Sequence, residues 1–135
     1  MPTRTFAGVY ASLAEIAEFV RFSVNDSTLS AADLFSLETA VDEAVSNIIE
    51  HAYEGEGKGT IRCQVKTSEK SVNIILEDHG KTFDPSKVHC PNLNSDLKHR
   101  PNHGLGYYMM CRLVDDVKFD FNAKRNRLIL TKFIN

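Results

Sequence analysis

A chain of 135 residues with 42% apolar side chains can close one hydrophobic core and little more, so a single domain over residues 1–135 is expected. Lys and Arg number 16 against 18 Asp and Glu, a formal net charge of -2, which offers no basic field for nucleic acid and points to a protein or a locally held small anion as partner. No apolar run approaches membrane-spanning length, and Met1-Pro2-Thr3-Arg4-Thr5 lacks the apolar core of a signal peptide, so no membrane association and a cytoplasmic location are expected.

In chain order, a short strand is predicted over Thr5 to Val9. Ser12-Leu13-Ala14-Glu15 reads as a capping box opening a helix that turns Leu13, Ile16, Ala17, Val20 and Val24 inward. After the turn Asn25-Asp26-Ser27-Thr28, Ser30 caps a long second helix that runs to about Tyr53. Its apolar stripe is Leu34, Leu37, Val41, Ala44, Val45, Ile48 and Ala52, with Glu43, Asn47 and Glu50 off that stripe. Glu54-Gly55-Glu56-Gly57-Lys58-Gly59 breaks it. Ile61, Cys63 and Val65, then Val72, Ile74 and Leu76, alternate with polar residues on either side of a Ser68-Glu69-Lys70 turn, which predicts an antiparallel hairpin. Asp78 falls just beyond it. The segment from Lys81 to His103 holds Pro85, Pro91 and Pro101 with no periodicity and reads as a long functional loop. Leu105 to Val114 predicts a third helix, and Val117 to Phe121 and Arg127 to Ile134 two strands about an Asn122-Ala123-Lys124-Arg125 turn. The order predicts an α+β fold, a two-layer sandwich with the helices on one face of a mixed, mostly antiparallel sheet. Cys63, Cys90 and Cys111 are odd in number and lack Cys-x-x-Cys spacing, so reduced thiols are expected.

Three segments carry candidate chemistry. Glu43 and Asn47 stand four residues apart on one helix face, where a carboxylate and an amide oxygen can serve an attacking hydroxyl and a magnesium ion beside a phosphate. A solvated helix face has the same composition. Asp78-His79-Gly80 and His103-Gly104-Leu105-Gly106 supply glycines where backbone can approach a purine and a phosphate tail closely.

Glu43 through Tyr53 resembles the first conserved box of the GHKL ATPases, the Bergerat-fold group of gyrase and histidine kinases, in its anti-sigma-factor serine kinase branch. Asp78-His79-Gly80-Lys81-Thr82-Phe83-Asp84-Pro85 resembles the second box, His103 through Met110 the third, and Asn126 through Lys132 the closing strand. The resemblance implies ATP and Mg2+ as cofactors. It implies Glu43 as general base, Asn47 as magnesium ligand and Asp78 as acceptor for the adenine amino group. Gly80 and Phe83 would lie at the base, and Gly104, Leu105 and Gly106 would open a helix toward the phosphates. It makes 81–103 a mobile ATP lid in which Lys98, His99 and Arg100 can reach the terminal phosphates. Thr82 stands where the second box usually has a further glycine, His103 where glycine opens the third, and Arg125-Asn126 replaces a glycine-threonine pair. Any supporting contact to adenine then falls to Asn126. His99 and His103, with His89-Cys90 nearby, have zinc-ligand spacing but no second cysteine pair.

Three functions compete. The first is a serine/threonine protein kinase that binds a sigma factor, phosphorylates a STAS-domain anti-sigma factor antagonist and forms a homodimer, as the resemblance implies. The second is a binding module of the same fold with little or no transfer. The third, a histidine kinase catalytic domain, is not expected on size, since such a chain carries a preceding helical segment with a phosphoacceptor histidine. Retention of both Glu43 and Asn47 favours the first, since a pure binder needs no base aligned with a metal ligand.

Overall fold

The computed structural model describes residues 1–82 and 105–134. All of the expected lid beyond Lys81 and Thr82, with the zinc candidates His89, Cys90, His99 and His103, lies outside them. The strands are β1 (Thr3–Ala7), β2 (Thr60–Thr67), β3 (Ser71–Asp78), β4 (Asp116–Phe121) and β5 (Asn126–Phe133), and the helices α1 (Ser12–Ser23), α2 (Ala31–Asn47) and α3 (Leu105–Leu113). One five-stranded sheet runs β1-β2-β3-β5-β4. Every pairing among the described residues is antiparallel, a plainer sheet than the mixed one expected.

The hairpin forms as its alternation predicts, with Cys63 opposite Leu76 and Val65 opposite Ile74. On the core face Phe6, Ile61, Val65, Val72, Ile74, Leu76 and Leu130 join Ile16, Val20, Leu37, Val41, Val45 and Ile49 of the helical layer in one buried cluster. The opposite face carries polar residues and half-buried Ile75 and Ile129. Hence the helices cover one face only.

The capping box at Ser12 does not form. Ala11 occupies the cap position in helical conformation with no side-chain bond, and Ser12 is a buried helical residue. The chain enters α1 through backbone turns instead, Ser12 N–H donating to Val9 O at 3.0 Å and Leu13 N–H to Tyr10 O at 3.1 Å, so the serine hydroxyl is not needed as a cap. At α2 the expected cap is present: Ser30 is extended and its hydroxyl accepts from Asp33 N–H at 3.1 Å.

The α-helical geometry of α2 ends at Asn47, and a π-turn over Ile48–Ala52 completes the helix. Tyr53 N–H donates to Ile48 O at 2.9 Å, five residues back, which widens the turn by one residue. The last inward position accordingly passes from the expected Ala52, half-buried, to buried Tyr53. Glu54, at φ 57, and Gly55, at φ 140, then reverse the chain, and Gly55 N–H returns to Ile49 O at 2.8 Å.

Cys63 is free and buried, and burial pushes its thiol up to about 12.

Tyr53 ties the helix end to the sheet: its hydroxyl donates to Thr60 O at 2.6 Å and accepts from His79 N–H at 3.0 Å. Its ring lies close against Gly59, where an added Cβ would stand 2.4 Å from ring carbon Cε1. Because both ends of the hydroxyl are engaged, the ring cannot withdraw cheaply. Gly59→Ala is therefore expected to destabilise the domain by about 1–3 kcal/mol, the usual cost of overpacking. Urea unfolding checks this, and an unchanged midpoint would show that the Tyr53 clamp is soft.

Candidate functional site

The site candidates converge where β3 leaves the sheet. Strand register sets this: Asp78, the last residue of β3, lies directly opposite Asn126, the first of β5. Both point to the core face, and both are buried, 5% and 6% exposed. Directly opposed side chains are the closest neighbours a sheet provides. The turn that starts β5 is made locally by Asn122, whose side-chain oxygen accepts from Lys124 N–H at 2.8 Å and Arg125 N–H at 2.9 Å. His79 Nδ1 meets Lys124 O at 3.0 Å and holds that turn against the β3 exit.

Asp78 Oδ1 accepts from Gly80 N–H and from Asn126 Nδ2, each at 2.9 Å. Asn126 Nδ2 also donates to Gly80 O at 3.1 Å, and Asn126 Oδ1 accepts from the Thr82 hydroxyl at 2.9 Å. Asp78 Oδ2 has no partner among the described residues. Burial raises the Asp78 carboxyl above the usual range, while the donors from Asn126 and Gly80 and the nearby His79 pull it back.

Gly80 is dictated by packing as well as by any ligand. An added Cβ would lie 2.5 Å from the carbonyl oxygen of Ala52, the last residue of the π-turn, and the same carbonyl accepts from Lys81 N–H at 2.7 Å. The exit loop is thus bonded to the end of the helix that carries Glu43 and Asn47. These two occupy its last two turns on one face, both half-buried, with no hydrogen-bond partner for either side chain among the described residues. The helix interior in front of the π-turn is where such widened turns tend to accompany function. Leu105 and Gly106 open α3, which packs against α2. Phe83, Arg100 and Gly104 lie outside the described residues. Among the described residues no group of three or more His, Cys, Asp or Glu could hold a metal ion.

On the outer face the neighbouring rung, Glu77 opposite Arg127, is fastened as well. Glu77 accepts from Arg127 Nε at 2.8 Å, with Arg125 Nε at 3.8 Å and Arg62 Nη1 at 3.9 Å, and Arg125 reaches Asp120 at 3.2 Å. Sequence reasoning assigned no role to Tyr53 and saw Thr82 only as a missing glycine. The signal for Tyr53 was an aromatic at a helix end with Gly59 shortly after; nothing local signals the Thr82 contact.

A family profile described as histidine kinase-like ATPase domain matches residues 6–132, and the chain belongs to that family. It is 32% identical over 106 residues to the serine-protein kinase RsbW of Bacillus cereus (strain B4264), covering 76% of this chain and 65% of that protein. It is 31% identical over 106 residues to the serine-protein kinase RsbW of Bacillus mycoides (strain KBAB4), with the same coverage, so it spans 65% of the length of these relatives. Among solved structures, the RsbU and RsbW domains of Rv1364c from Mycobacterium tuberculosis superpose with TM-score 0.62 at 14% identity, over 98% of this chain and 33% of that one. The histidine kinase domain of the blue-light activated kinase EL346 from Erythrobacter litoralis gives TM-score 0.57 at 15% identity, over 91% of this chain and 59% of that one. At those identities the likeness is one of fold, a five-stranded antiparallel sheet under a helical layer.

The buried carboxylate makes a prediction about pH. Because burial raises its folded value above the unfolded value of about 4, the folded chain between those two values holds a proton that the unfolded chain has released. Stability contributed at this site therefore falls as pH rises through that window. Asp78→Asn keeps an oxygen for Gly80 and Asn126 but carries no charge. It is expected to unfold at a urea midpoint no lower than wild type near neutral pH, and to flatten the pH profile above about pH 4. A lower midpoint with an unaltered profile would contradict it.

Proposed function

We propose that the chain is an ATP-dependent serine/threonine protein kinase and anti-sigma factor that phosphorylates a STAS-type anti-sigma factor antagonist. The observation that carries the reading is Asp78: a buried carboxylate at a strand exit, one oxygen held by Gly80 and Asn126 and the other turned to no described partner. A buried acceptor in want of a donor suits the amino edge of adenine and rejects a carbonyl there. Similarity to serine-protein kinases supports the transfer reaction, while the partner class comes from the sequence resemblance.

In this reading Asn47 would offer its amide oxygen to Mg2+, a hard oxygen donor of the kind that ion takes. The ion would neutralise charge on the phosphates during transfer. Glu43, on the same helix face, accepts the proton of the substrate hydroxyl. The first-turn amides of α3, at Leu105 and Gly106, would meet the phosphate tail together with Gly104, and Phe83 and Arg100 would serve the base and phosphate ends. The chain would act as one domain and as a homodimer, in the cytoplasm, binding a sigma factor or the antagonist in exchange.

The two helix residues have separable jobs. Glu43→Gln is expected to keep ATP binding while transfer of labelled γ-phosphate to a STAS-domain serine falls by about two to four orders of magnitude. Asn47→Ala is expected to weaken both binding and transfer. Full transfer by Glu43→Gln removes it as the base. Wild-type ATP binding without transfer to any STAS protein encoded nearby moves the assignment to a regulatory binding module.

A further inference from the structure

Thr82 and Asn126, each a departure from the family pattern, touch one another: the Thr82 hydroxyl donates to Asn126 Oδ1 at 2.9 Å. The other end of the amide donates to Asp78 Oδ1 at 2.9 Å and to Gly80 O at 3.1 Å. An amide has one donor end and one acceptor end, and a single orientation fits here. Turned over, Asn126 would set its oxygen against a carboxylate oxygen and a carbonyl oxygen, two repulsive contacts at a buried position. Thr82 fastens the orientation that avoids them.

The consequence falls on Asp78. With two N–H groups converging on Oδ1, a proton has no room there, and the carboxylate cannot rotate to exchange its oxygens without losing both bonds. Oδ2 is left as a fixed acceptor. We propose, building on the nucleotide reading above, that Asn126 and Thr82 form one positioning unit that keeps Asp78 ionised and aimed at an adenine amino group, and so sets the choice of adenine over guanine. Guanine would bring its carbonyl oxygen against Oδ2; only a protonated Asp78 could accommodate it.

The titratable groups around Asp78 are Glu77 and His79 beside it in the chain and Tyr53 at the helix end. Burial lifts the carboxyl, and the Asn126 donor is the strongest of the influences drawing it down. Loss of that donor should leave Asp78 easier to protonate, which a merely structural role for Asn126 does not entail.

The test is competitive titration of the full chain with ATP and with GTP from mildly acid to mildly alkaline pH, comparing wild type, Asn126→Ala, Thr82→Val, Thr82→Ser and the Asn126→Ala/Thr82→Val double variant. Asn126→Ala is expected to lose about tenfold in ATP affinity near neutrality, to narrow the ATP-to-GTP preference, and to move the acid limb of ATP binding to higher pH. Phosphate titration is common to both proteins and cancels in the comparison. Thr82→Val is expected to lose about threefold, an effect absent in the double variant because Thr82 acts through Asn126, and Thr82→Ser, which keeps the hydroxyl, to restore binding. Equal losses for ATP and GTP in Asn126→Ala with the acid limb unmoved, or no loss at all, overturn the proposal while wild type still binds ATP. If wild type binds no ATP, the nucleotide reading itself falls and this inference with it. Should Asn126→Ala fail to fold, wild-type affinity and preference in Thr82→Val overturn the proposal alone.

Discussion

The register of β3 against β5 is the constraint on which the rest depends. Side chains in a sheet alternate between faces with period two, so a one-residue slip of β3 would put Glu77 in place of Asp78 on the buried face, and one of β5 would put Arg127 in place of Asn126. The apolar residues forbid either slip, because it would carry Ile74 and Leu76, or Leu128 and Leu130, out of the core. The hydrophobic core thereby determines, without touching it, which two polar side chains meet at the end of the strand.

The helical layer contributes a second constraint of a different kind. The π-turn after Asn47 places the Ala52 carbonyl against Gly80 and the Tyr53 hydroxyl between Thr60 and His79. Backbone groups that a helix end would leave to water are used to hold the loop leaving β3. The residues assigned to the phosphate end of the site, Glu43 and Asn47, and the carboxylate assigned to the base end therefore belong to one mechanically continuous piece of structure. Their relative placement is set by contacts among the described residues.

Much of this was legible beforehand, and what was not has a common cause. The alternation of Ile61, Cys63 and Val65 with Val72, Ile74 and Leu76 specified two strands, their faces and their pairing, because period and burial are local properties. The stripe on α2 and the Ser30 cap were legible for the same reason. Ser12 misled because a serine three residues before a glutamate is compatible with a cap without requiring one, and backbone turns had already satisfied the helix start. The π-turn leaves no mark in a stripe that shifts by a single residue at its last position. Thr82 was read as a glycine lost, and only the pairing of strands distant in sequence reveals that its hydroxyl meets Asn126.

Glu77 and Arg127 give the end of the sheet a property that strand ends ordinarily lack. The final rung of a ladder has neighbours on one side only and opens most readily, which would make it a poor anchor for a side chain whose direction must be held. Here the last two rungs are each closed by their side chains, the final one by the Asp78–Asn126 bond on the buried face and the one before it by the Glu77–Arg127 ion pair on the outer face, with Arg125 and Arg62 at longer range. An opening at this point would have to break a contact on each side of the sheet at once. The terminus of β3 is thus held as interior backbone is, by partners on both faces of the sheet.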